Sequence, residues 1–112
     1  MGLYTSGLSS SLWESKKKDI AAGVTAIVDD LQLSVLKGAT YIFCVTNANV
    51  SVMFNMNLIN KNNVISETIY GKIGLGISFS VSTSVSLGVV NVNLTNNETA
   101  SISVELIRYK FN

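Results

Sequence analysis

The sequence has no histidine, no proline, a single cysteine and few charges. Without an imidazole there is no Ser-His-Asp triad, no Cys-His pair and no HExxH zinc helix. One thiol, Cys44, builds neither a Cys-rich zinc site nor an intrachain disulfide, so the hydrophobic core alone has to hold the chain together. Charged residues make up 13% of the chain, about half the usual share, and they sum to +1. That leaves little positive field for the phosphate neutralisation on which nucleic-acid binding depends, and no specific nucleic-acid partner is expected. The one basic run, Lys16-Lys17-Lys18, reads as a solvated helix face ahead of a phosphate or anionic-lipid contact.

Long apolar runs are also missing. The two uncharged stretches, 38–60 and 73–97, are threaded with Ser, Thr and Asn, so neither reads as a transmembrane helix. The first twenty residues lack the basic start and apolar run of a secretory signal, and a membrane partner is not expected. What the chain does have is 112 residues, one domain's worth, of which 47% are hydrophobic, with 15 Ser, 8 Thr and 12 Asn as the polar complement. A net charge of +1 is below the magnitude of about 2 to 8 that keeps small soluble domains apart. Such a surface suits a chain that gives up area to an assembly, although AT-rich codon usage produces the same composition.

Residues 1–10 read as an extended arm in which Leu3, Tyr4 and Leu8 stand among glycines and hydroxyl residues. Ser11-Leu12-Trp13-Glu14 then fits a capping box, Glu14 and Lys18 stand at i and i+4, and Gly23 is a stop signal. This spacing predicts a short helix from Leu12 to Ala22. The chain thus divides into an arm and helix, 1–22, and a β domain, 23–112. Leu3, Tyr4, Leu8, Leu12 and Trp13 are the candidate interface residues, with the lone Trp13 as a docking anchor.

Beyond Gly23 the pattern is period two, broken by turn clusters every eight to twelve residues. Strands are expected over Val24–Val28, through Leu31, Leu33 and Val35, then over Tyr41–Thr46, Val50–Ile59 and Val64–Tyr70. Further strands follow over Ile77–Leu87, Val90–Leu94 and Ile102–Leu106, with Glu105 outward and Arg108, Tyr109 and Lys110 closing the chain. Gly71, Gly74 and Gly76 mark a corner or bulge, and a one-residue phase slip at Gly88 or Val89 marks a turn. Seven or eight one-sided strands bury most when two antiparallel sheets pack face to face. The expected fold is all-β, an antiparallel β-sandwich of jelly-roll type.

The segment Leu36-Lys37-Gly38-Ala39-Thr40-Tyr41-Ile42-Phe43 and the ending Ala100-Ser101-Ile102-Ser103-Val104-Glu105-Leu106 carry a loose resemblance. They resemble small jelly-roll modules of phage virions and carbohydrate-binding proteins. The resemblance lies in strand grammar over the C-terminal two thirds and transfers no site residue.

Catalysis would fall to seven carboxylates, Glu14, Asp19, Asp29, Asp30, Glu67, Glu98 and Glu105, of which only Asp29 and Asp30 adjoin. That pair reads as a turn or strand edge ahead of a calcium site, which needs six to eight oxygens. Gly71-Lys72-Ile73-Gly74-Leu75-Gly76 matches no phosphate-binding motif. Cys44, between Phe43 and Val45, reads as an inert buried thiol. No catalytic residue, metal or cofactor is expected.

The leading expectation is a non-enzymatic structural module, a viral or phage virion component such as a capsid decoration, fibre or tail-associated protein. It would form homo-oligomers or bind other virion proteins through its arm. A lectin-like, glycan-binding module is the alternative and requires exposed, coplanar aromatic rings. A third reading takes the alternation over Ile73–Asn97 as a pore-forming hairpin, against a half-buried sandwich hairpin with the same pattern.

Overall fold

The computed structural model describes residues 13–112. They form eight strands: β1 (Trp13–Ile20), β2 (Thr25–Gln32), β3 (Gly38–Thr46), β4 (Ser51–Lys61), β5 (Val64–Ile73), β6 (Phe79–Ser86), β7 (Val89–Asn96) and β8 (Ile102–Phe111). A five-stranded sheet, ordered β1-β8-β3-β4-β5, faces a three-stranded sheet, β2-β7-β6, and every pairing is antiparallel. The β1–β8 and β2–β7 pairs nest one inside the other, as the outer strands of a jelly roll do. The middle departs from that plan, because β3, β4 and β5 run as a meander and β6 pairs with β7 alone.

The alternation read from the sequence is the pattern of burial. Tyr41, Phe43 and Val45 of β3, Val52, Phe54, Met56 and Leu58 of β4, Val90, Val92 and Leu94 of β7, and Ile102, Val104 and Leu106 of β8 fill the space between the sheets. An aromatic stack runs through them, with ring centroids 5.5 Å apart for Tyr41–Phe43, 4.7 Å for Phe43–Phe54 and 5.5 Å for Phe54–Phe79. In the β6–β7 hairpin, Val90, Val92 and Leu94 face this core, so its alternation is that of a sheet with one buried face. Among the described residues no helix is long and apolar enough to cross a membrane.

The helix predicted over Leu12–Ala22 is a correction: Trp13–Ile20 is a β-strand paired along its length with Ile102–Tyr109 of β8. The capping box and the Glu14–Lys18 spacing are local signals, and an isolated helix this short is marginal in water. The unpaired edge of β8 offers a full ladder of hydrogen bonds instead. Period two was also present, since Glu14, Lys16, Lys18 and Ile20 oppose the inward residues Arg108, Leu106, Val104 and Ile102. The sandwich therefore includes β1 and does not start at Gly23.

Two segments expected as separate strands, Val24–Val28 and the run through Leu31, merge into β2 across a bulge between Ile27 and Asp29. Cys44 is a second correction. It is half-buried on the outer face of its sheet, because the inward places on either side belong to Phe43 and Val45.

The glycine corner is steric. Gly74 has φ of +102°, and a Cβ there would lie 2.5 Å from the Ser51 carbonyl oxygen. Gly74→Ala is expected to cost about 2 kcal/mol, from a disfavoured backbone and a clash with main chain that cannot swing aside. Urea denaturation measures it; a loss below about 0.5 kcal/mol would mean that the corner relaxes freely.

The phase slip at Gly88 is a two-residue turn, Leu87-Gly88, with φ of +52° and +76°. The β4–β5 turn has the same geometry but places Asn62 and Asn63 at φ of +54° and +65°, where asparagine is well tolerated and leucine is not. Leu87 is also wholly exposed. Leu87→Asn is therefore expected to raise Tm by about 4 °C, and an unchanged or lowered Tm would show that Leu87 makes a compensating contact.

Candidate functional site

The β2 bulge has a chemical consequence. Along a regular strand Val28 and Asp29 would point to opposite faces, but the extra residue turns both inward, and Asp29 is only 2% exposed. Opposite it, on the five-stranded sheet, three residues share one row: Tyr41 is paired with Arg108, and Arg108 with Glu14. Continuing the β8 alternation Ile102, Val104, Leu106 by one step places Arg108 inward, at 4% exposure.

The Asp29 carboxylate is fully engaged. Its Oδ2 accepts from the Tyr41 hydroxyl at 2.7 Å and from Arg108 Nη1 at 3.0 Å. Its Oδ1 accepts from the same Nη1 at 3.1 Å and pairs with Lys16 Nζ at 2.6 Å. Glu14 Oε2 accepts from Arg108 Nη2 at 3.3 Å and lies 3.9 Å from Lys16 Nζ, so two anions balance two cations. Burial first, and then the adjacent Asp29 charge, push the Tyr41 phenol far above its ordinary range, which keeps it a neutral donor.

This set clamps the two sheets at the β1–β2 corner. A carboxylate already holding two cations and a phenol has no lone pair directed outward for a metal or a proton transfer. Asp30 points the other way and is exposed, so the adjacent pair does not converge on one ligand. Among the described residues no three of His, Cys, Asp and Glu are grouped as a metal site would need. Glu67 Oε1 accepts from Thr83 Oγ1 at 2.6 Å, and Glu98 Oε2 accepts from the Ser78 N–H at 2.7 Å, which ties those carboxylates to local structure.

Of the described aromatics, Tyr41, Phe43 and Phe54 are in the core, Tyr109 and Phe111 meet edge to face at 62°, and Tyr70 is exposed on β5. Of the interface candidates, Leu3, Tyr4, Leu8 and Leu12 lie outside the described residues. Trp13 opens β1 opposite Tyr109.

The strand edges are the other candidate surface, and sequence reasoning did not single them out. Four strands have one unpaired side each: β1 and β5 in one sheet, β2 and β6 in the other. Three carry features that discourage a further strand. The β1 edge has Lys16, Lys17 and Lys18. The β2 edge has its bulge, Asp29 and Asp30, and Lys18 Nζ reaches the Ile27 carbonyl at 3.4 Å. The β5 edge has an irregular register near Gly71, with Glu67 and Lys72. The β6 edge, Phe-Ser-Val-Ser-Thr-Ser-Val-Ser, has neither charge nor bulge.

No family model matches the chain, and no curated protein matches it. Two solved structures do. The tailspike protein of Acinetobacter phage vB_ApiP_P1 matches over 88% of this chain at 13% identity with a TM-score of 0.55, and the chain covers 22% of it. The tailspike protein of Acinetobacter baumannii phage AM24 matches over 89% at 11% identity with a TM-score of 0.49, and the chain covers 26% of it. This chain therefore spans about a quarter of each tailspike. At 13% identity and a TM-score of 0.55 the likeness to the vB_ApiP_P1 tailspike is one of fold, and it agrees with the resemblance to phage-virion β-sandwich modules carried by the strand pattern.

Proposed function

We propose that this chain is a non-enzymatic structural module of a phage tail that self-associates through its N-terminal arm. The observation that carries the reading is the shared sandwich fold, matched over 88% of the chain by part of a phage tailspike at a TM-score of 0.55. Low surface charge and an ionic corner that clamps the two sheets suit a rigid repeated part. Leu3, Tyr4, Leu8, Leu12 and Trp13 are the residues that would meet a neighbour, which is another copy or a second virion protein.

Two measurements test this. Light scattering on the full chain is expected to give a multiple of 12.0 kDa, and a monomer at high micromolar concentration would remove self-association. Immunogold labelling of particles from the source phage is expected to mark the tail. Labelling on the capsid, or none, would remove the tail assignment. Truncation to residue 22 is not a clean test, because it takes away β1.

A further inference from the structure

The β6 edge differs from the other three in having neither charge nor bulge within the strand itself, and we propose that it is the seat for the N-terminal arm, residues 1–12, of a neighbouring copy. This inference rests on the self-association reading above and names its receiving surface.

Three observations support it. The first is the edge itself. Ser86 and Val89 flank the two-residue turn and are a hydrogen-bonded pair, so alternation points the main-chain N–H and C=O groups of Val81, Thr83 and Val85 away from β7. Among the described residues no side chain bonds to the main chain of residues 79–86. Glu67 and Lys72 reach only the Thr83 hydroxyl and the Phe79 ring.

The second is chemical matching. Residues 1–12 contain no charged side chain and no proline, and they mix Leu and Tyr with Ser and Thr, as β6 mixes Val and Phe with Ser and Thr. Neither segment brings a charged side chain of its own to the main-chain bonding, and Val85 on β6 is already exposed for an apolar side chain to cover.

The third is reach, which decides whose arm it is. If Leu3–Ser10 pairs with the eight residues of β6, only Ser11 and Leu12 remain before Trp13, a tether of about 10 Å over three residue steps. The arm joins the fold at β1, which packs over β2, while β6 lies two strands beyond β2 in the facing sheet. Sheets about 10 Å apart and strands about 4.8 Å apart put a chain's own β6 edge beyond that tether. The arm therefore reaches a second molecule, and the contact joins two different surfaces, which allows a closed ring.

The test uses full-length chains and light scattering. Ser80→Lys/Ser82→Lys gives β6 the charge its counterparts carry; both serines are exposed. Thr5→Pro/Leu8→Pro removes arm donors without adding charge. Each variant alone is expected to associate at least tenfold more weakly than the parent, with unchanged circular dichroism. An equimolar mixture is expected to recover a species of twice the 12.0 kDa mass, since one variant keeps an intact arm and the other an intact edge. If the parent is oligomeric and the lysine pair does not weaken it, the β6 seat is wrong while self-association stands. If the lysines dissociate it and the prolines do not, β6 pairs with another β6 and the arm assignment is overturned. A mixture that stays monomeric also overturns it. A monomeric parent removes the self-association reading itself.

Discussion

Replacing Asp29 by alanine is expected to destabilise the fold by about 3–5 kcal/mol. Asp29 and Arg108 are 2% and 4% exposed, so the substitution leaves a buried guanidinium whose remaining anion is the part-exposed Glu14, and it strips the Tyr41 hydroxyl of its acceptor. The cost comes from the orphaned charge more than from the lost attraction, so a second substitution distinguishes the causes. Asp29→Ala/Arg108→Met is expected to recover a good part of the loss, because no uncompensated cation stays inside. For a domain of this size total stability is of order 10 kcal/mol, so the single variant should also melt at least about 10 °C lower. Urea denaturation of the four species of the cycle gives the answer. A double variant no more stable than Asp29→Ala, or a single-variant loss under about 1 kcal/mol, would mean that water reaches Arg108 and the cluster is not a clamp.

Phe43→Ala is expected to cost a similar amount, about 3–5 kcal/mol, by a different mechanism. Phe43 is fully buried at the centre of the aromatic stack, between Tyr41 and Phe54, on the central strand of the larger sheet. Its neighbours belong to two different strands held in fixed register, so they cannot close the cavity by moving together. Phe43→Leu, which keeps most of the volume, is expected to lose about 1–2 kcal/mol. The difference between the two substitutions is the diagnostic quantity. Equal losses would point to loss of ring stacking and not to a cavity, and a loss below about 1.5 kcal/mol for alanine would mean that the core repacks.

The strands beyond Gly23 were legible because each has one buried face, and a buried face writes itself into the sequence as alternation. Val52, Phe54, Met56 and Leu58 leave little choice of register, since a slip of one residue would turn all four to solvent. β1 was misread because its inward face is charged. Glu14, Lys16 and Lys18 carry the same alternation in residues that hydropathy counts as surface, and a capping box stood beside them. The Asp29–Asp30 pair was visible as a pair, but its division into a buried and an exposed carboxylate depends on the bulge, which is a property of β2 against β7.

The sequence alone determined that this chain is all-β, with two sheets facing across an aliphatic and aromatic core, because period and hydrophobicity are local and survive in one dimension. Only the tertiary structure decided which charges are buried, which edges are open and that β1 is a strand. Those depend on what lies across the sandwich or beside the strand, at sequence separations such as the 79 residues between Asp29 and Arg108. Contacts of that length leave no period in the chain and form only once the sheets have packed.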